Sequence, residues 1–261
     1  MCLTEPKRLK YINAIAEWNL RRTHTLNEVQ KFHGKLIHAA LVFPDSCPYL
    51  INIEAMLTIF GDKPFLPRTP PCGTQDDIKW WLNCLSNLSH PLSISSPQSV
   101  VVLNAFSNTS SSIRIGILLN GLWHAWILRP GWKSGGRDIG WAKSVSFELL
   151  ILTILHSGTS NIDIKVFGDN QNVINGWAKG RSHNRPTNDI FKCIHSALAP
   201  AHCTIHARYI CSEDNPADPL SHGIYPPLHL LIPPFPVPDA ILPFIADFND
   251  PSATSNHLAM S

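Results

Sequence analysis

Residues 162–184 read IDIKVFGDNQNVINGWAKGRSHN, a strand-like run that ends in an acid and leads into a helix-like segment. Ile162, Ile164 and Val166 alternate with other residues, the period of a strand with one buried face. The run climbs into Gly168-Asp169-Asn170, and a helix-like segment near 170–178 follows and ends in a basic loop. A carboxylate at the end of a buried strand is costly unless something pairs with it, so Asp169 needs a partner.

Working outward, SVVVLNAFSN (99–108) has a short apolar core that predicts a buried central strand. Ile113–Leu119 and Leu122–Leu128 flank Asn120-Gly121, a strong hairpin signal. After a glycine-rich loop from Gly131 to Gly136, the apolar segment Trp141–His156 predicts a buried helix. Downstream of the opening stretch come a helix near 188–199 and a strand at 204–211. Three strands with a hairpin, then helix, strand, helix, strand, describe an α/β domain with a mixed sheet in which the first and fourth strands are neighbours. Trp123, Trp126, Trp132 and Trp141 read as packing residues.

The preceding region, 1–91, reads as helical. Thr25-Leu-Asn-Glu28 has the form of a capping box, and Leu26, Val29, Phe32, Leu36, Ile37 and Ala40 follow helical spacing until Pro44. Another helix is predicted over Leu50–Phe60, and a third from Asp76-Asp77 with Ile78, Trp81, Leu82 and Leu85 on one face. LPRTPPCG (66–73) reads as an irregular link between them, and HPLSISSPQ (90–98) as a loop before the α/β domain, 92–223. From residue 224 the chain is proline-rich, which predicts an extended segment: a strap across the domain, a ligand for a partner's groove, or a linker, the reading preferred here.

The 261 residues, 44% hydrophobic and only 15% charged, can bury a real core, and the composition is not that of a disordered chain. A net charge of +2 gives no global field for a polyanion, so any nucleic-acid contact must come from a local patch. The amino terminus lacks a secretory h-region, and the greasiest windows, Phe147–Leu155 and 228–245, fall short of the ~20 apolar residues of a membrane helix. The expectation is an intracellular protein, cytoplasmic or nuclear, with no membrane partner. Seven cysteines with no C-x-x-C pair fit reduced thiols. Cys193, His195, His202, Cys203, His206 and Cys211 cluster in sequence, which leaves zinc open beside the preferred reading of buried thiols and satisfied histidines.

Three carboxylates stand out: Glu148 inside the apolar SVSFELLILTIL, Asp169 at a strand end, and Asp218 in EDNPADPLSHG after the last strand. Converging carboxylates repel and call for hard cations such as magnesium, and two such ions can drive phosphodiester hydrolysis. The residues alone also allow a plainer reading, with Glu148 paired to Lys143 or capping a buried polar group, and both aspartates capping helices.

The segments SVVVLNAFSN, GRDIGWAKSVSFELL, VFGDNQNVINGWAKGRSHNRPTN and YICSEDNPADPLSHG together resemble the ribonuclease H region of retrotransposon reverse transcriptases, those of fungal mobile elements in particular. KRLKYINAIAEWNLRRTHTLNEVQKFHGKLIHAA resembles the segment that joins the polymerase thumb to that nuclease. The similarity runs from about residue 8 to about residue 223. It implies a ribonuclease H-like, mixed five-stranded sheet flanked by helices, and an upstream polymerase domain in a longer polyprotein. It also implies four acids, Asp, Glu, Asp, Asp, holding two Mg2+ (or Mn2+) ions to cut the RNA of an RNA–DNA hybrid. Carried onto this chain, the set falls on Asn104 in place of the first Asp, then Glu148, Asp169 and Asp218, with the last three as metal ligands. Lys143, where related sequences often carry an acid, and His222, in place of a common arginine, are further departures. An amide offers one good oxygen and no charge, so impaired hydrolysis is expected, or a pseudo-nuclease that only binds. Lys179, Arg181, His183 and Arg185, in the loop after Asp169, are the candidate phosphate contacts.

Overall fold

The computed structural model describes residues 3–87, 99–110 and 114–251, so the expected loop at 90–98 lies outside the described residues. The chain forms two compact units, 1–96 and 97–261.

The first unit is helical: α1 (Glu5–Asn19), α2 (Leu26–Ala40), α3 (Ile51–Leu57) and α4 (Thr74–Ser86), with a 3-10 segment, Pro44–Leu50, leading into α3. The capping box forms. The Glu28 carboxylate accepts from the Thr25 backbone N–H at 2.8 Å, and the Thr25 hydroxyl accepts from the Glu28 N–H. Ile15, Leu36, Ile53, Met56, Ile78 and Trp81 are sealed in one core.

The second unit holds the sheet. Its elements are β1 (Val100–Thr109), β2 (Arg114–Leu119), β3 (Leu122–Leu128), α5 (Ile139–His156), β4 (Asp163–Gly168), α6 (Gln171–Ala178), α7 (Arg185–Ala201), β5 (Thr204–Tyr209), α8 (Asp218–Ser221) and β6 (Ile245–Asp247). The strand order is β5-β4-β1-β2-β3-β6. β1 runs parallel to β4 and antiparallel to β2, as the mixed-sheet expectation requires. Asn120 and Gly121 both take positive φ, 51° and 83°, which suits the tight turn whose twist matches the flanking strands.

β1 is longer than its apolar run suggests. A register shift between Val102 and Ala105 marks a bulge, and Asn104 sits in it at φ 45°. Its short polar side chain tolerates the left-handed conformation that other residues resist. Beyond the bulge the strand continues through the buried Ser107, Asn108 and Thr109.

α5 packs against the sheet and α7 and is apolar nearly all round, with Phe147, Leu149, Leu150 and Ile151 sealed. By length and composition it could cross a membrane, yet 67% of it is buried inside the protein, as befits a core helix.

The proline-rich segment is not a free linker. Its prolines keep the chain extended, and the intervening apolar residues dock onto the sheet. Ile232 donates its N–H to the Trp123 carbonyl at 2.8 Å, and the Trp123 indole donates to the Pro227 carbonyl at 3.2 Å. Ile232, Ile241 and Ile245 are buried in the main core, and β6 pairs antiparallel with β3. The sheet therefore has six strands where five were expected. The domain continues well past residue 223.

Burying each isoleucine of the strap contributes on the order of 2 kcal/mol by removing apolar surface from water. Ile232→Ala and Ile241→Ala are each expected to destabilise the second unit by about 2–4 kcal/mol. Urea unfolding followed by tryptophan fluorescence checks this; losses within ~0.5 kcal/mol would show a surface tail.

Candidate functional site

β1 and β4 end side by side. Ser107 is in register with Gly168, so the next residues, Asn108 and Asp169, emerge together at the carboxyl ends of two parallel central strands. α5 crosses behind them and brings Lys143. α8 approaches from the other side: it packs on β2 where Gly116 lacks a side chain, since a Cβ there would come within 2.5 Å of the Leu220 Cβ. Buried Asn215 fastens this loop by donating to the Ser107 carbonyl at 3.1 Å and accepting from the Ala217 N–H at 3.1 Å. Asp218 follows directly.

The side chains form one connected polar cluster. The Lys143 ammonium donates to both oxygens of Asp169 at 2.7 Å and to the Asn108 amide oxygen at 3.1 Å. The Asn108 amide nitrogen donates to Asp218 Oδ1 at 2.6 Å and to Ser221 Oγ at 3.3 Å. The Thr109 N–H donates to Asn108 Oδ1 at 2.6 Å, and the Ser212 hydroxyl to Asp169 Oδ2 at 3.0 Å. His222 Nε2 lies 3.6 Å from Asp218 Oδ1. The side chains of Asp169 and Lys143 are only 6% and 15% exposed, so their ion pair operates away from bulk solvent. The cleft left beside Lys143, Ser107 and Asp169 has a volume of about 10 Å³, room for one water at most. A larger cavity of about 420 Å³ lies in the first unit, beside Trp18 and Arg22, and contains none of the candidate residues.

The structure thus brings Asp169 and Asp218 into one cluster and leaves out Asn104 and Glu148. Asn104 is exposed in the β1 bulge, four residues before Asn108, which is about 13 Å along an extended strand. Glu148 is five residues after Lys143, so it points about 140° away around the helix. It is 1% exposed, with Oε2 lacking any hydrogen-bond partner, and burial pushes its carboxyl up to about 8. Asn108 and Lys143, in place of the expected Asn104 and Glu148, are the residues that meet Asp169 and Asp218. The signal for Asn108 is the second asparagine in VVVLNAFSNT, which lies beyond the apolar run that stops at Leu103 but still within the strand. Ser212, Asn215 and Ser221 carried no signal of their own.

The donor set does not fit the expected metal pair. It offers two carboxylates, one already held by an ammonium, and an amide whose nitrogen faces Asp218. Hard divalent cations need several free oxygens. Among the described residues no group of three or more His, Cys, Asp and Glu side chains is arranged to hold a metal, and that covers the cysteine–histidine run considered for zinc.

The basic loop lies at the far end of α6 from Asp169. Lys179, His183 and Arg185 are exposed and Arg181 is half-buried. Asn184 caps α7 by accepting from the Thr187 N–H at 3.0 Å, and it donates to the Gly136 carbonyl at 3.0 Å. This ties the loop to the one bearing exposed Lys133, beside the amino end of α5.

A scan against protein-family models and a search of curated proteins find no match to this chain.

Two stability effects follow from the cluster. Lys143→Met leaves Asp169 buried without its cation and is expected to cost about 3 kcal/mol in urea unfolding. Glu148 has a raised folded pKa, so its favourable neutral state is fully kept below about pH 4.5 and is lost as pH rises through about 8. Stability should fall across that window, and Glu148→Gln should flatten the fall; identical pH profiles for both proteins would refute the orphaned carboxyl.

Proposed function

We propose that this chain is a ribonuclease H-like module of reverse-transcriptase origin, preceded by a thumb-connection-like helical unit. In this reading it binds RNA–DNA hybrid without cutting it. Support comes from the motif resemblance, the β1–β4 neighbour relation, and the chain order of the cluster: Asn108, Lys143, Asp169, Asp218. Set against the family's Asp, Glu, Asp, Asp, the first acid is an amide and the second a lysine.

One observation carries the reading: the Lys143 ammonium bonds both oxygens of Asp169 and the Asn108 amide oxygen. A cation covalently attached to α5 satisfies the charge that a metal would otherwise neutralise. It supplies no Lewis-acid face and activates no water. What remains suited to a polyanion is the rim of Lys133, Lys179, His183 and Arg185. An upstream polymerase domain of a longer polyprotein would supply the rest of a reverse transcriptase.

The test is cleavage and binding of a labelled RNA–DNA hybrid, with Mg2+, with Mn2+ and with chelator. The unaltered chain is expected to bind equally in all three and to leave the RNA intact. The double variant Asn108→Asp/Lys143→Glu is expected to gain metal-dependent cleavage of several powers of ten over background, whereas Asn104→Asp gains none. Cleavage by the unaltered chain would sink the silent-site reading. A correctly folded double variant that stays inert would sink the four-position assignment.

A further inference from the structure

The sheet has a second face, and it is covered only in part. Over β2 and β3, Trp123 and Ala125 pack against Ala217, Leu220 and Tyr225. Over β1, β4 and β5 the face is more open. Val100 and Val102 are 43% and 54% exposed, Arg208 is exposed, and Phe106, Phe167 and Lys165 are half-buried.

These residues are ordered by the register. Phe106 on β1, Phe167 on β4 and Arg208 on β5 are cross-strand partners, so they form a row across three adjacent strands about 4.8 Å apart. Phe106 and Phe167 are stacked, their centroids 5.1 Å apart at 17°. Lys165 lies two residues before Phe167 on the same face, with its ammonium 5.3 Å from the ring. The acid on this surface, Asp163, is held by His206 at 3.2 Å, while Lys165 and Arg208 have no carboxylate partner among the described residues. Phe106 and Phe167 each stand two residues before Asn108 and Asp169, so the row leads straight into the polar cluster.

Partly exposed rings flanked by cations that no carboxylate neutralises, on adjacent central strands, are the chemistry that stacks bases and grips phosphates. We infer that the β1-β4-β5 face is a second nucleic-acid surface, taking a single strand, with Phe167 as the stacking ring and Lys165 and Arg208 as phosphate contacts. It is separate from the loop rim proposed for hybrid.

The test is fluorescence anisotropy with a labelled oligouridylate of about twelve nucleotides, within the site size of such sheets, in chelator and over a range of salt. Phe167→Leu, which keeps apolar bulk and removes the ring, is expected to weaken single-strand binding about tenfold. Lys165→Glu/Arg208→Glu is expected to weaken it more and to lower the salt slope by about one or more. Lys179→Ala/Arg185→Ala should leave it unchanged while weakening hybrid binding, so the two readings fail separately. Thermal unfolding confirms that each variant folds. The inference is overturned if the unaltered chain does not bind the oligonucleotide, or if the face variants bind it normally. It is overturned equally if sedimentation shows this face joining two copies of the chain and oligonucleotide binding is unaffected by its mutation.

Discussion

The Lys143–Asp169 ion pair is the constraint around which the second unit's centre is organised. Parallel pairing of β1 and β4 forces two polar residues, Asn108 and Asp169, to emerge together under α5 and α8. A carboxylate so deeply placed cannot stay charged without compensation. Lys143 supplies it from within the chain, and the amide of Asn108 links that ammonium to Asp218. Both Asp169 oxygens and the Asn108 amide oxygen face donors, the condition under which a buried polar network specifies one arrangement. An acid at position 108 or 143 would instead face Asp169 and Asp218 with a repulsion that only added cations could relieve.

α5 serves two environments at once. Near its amino end it delivers Lys143 to the strand ends, while deeper in the core it carries Glu148 among apolar neighbours with no partner for one oxygen. The first placement is stabilising and the second costly. The buried surroundings tolerate the carboxyl because the group can stay neutral. The strap from residue 224 onward closes the far edge of the same sheet, where β6 covers β3 and Arg129 donates to the Ile245 carbonyl at 2.9 Å. An edge that would expose unpaired backbone groups is thereby paired.

Much of this was legible before any coordinates. The capping box at Thr25, the Asn120-Gly121 hairpin, the helix ending at His156 and the strand ending before Asp169 all rest on local rules, and all formed. The strap was harder, because prolines forbid helix but do not say whether an extended chain docks. The site was only half legible. Asp169 was found because a strand end and an acid coincide locally, and Asp218 through a motif. Asn108 and Lys143 carried no such local signal: an apolar run marks where a strand is buried but not where a bulge carries it on, and a helix apolar nearly all round does not say which of its polar residues faces the strand ends.

Local sequence rules account for the helices and strands from α2 to β5 but not for β6, because they depend on neighbours within a few residues and an extended chain becomes a strand only where it finds an edge to pair with. Which side chains meet is set by long-range packing. A bulge at Asn104 carries β1 onward to Asn108, and about 140° of helical rotation separates Lys143 from Glu148. These offsets turned an expected metal centre into an ammonium held between an amide and a carboxylate.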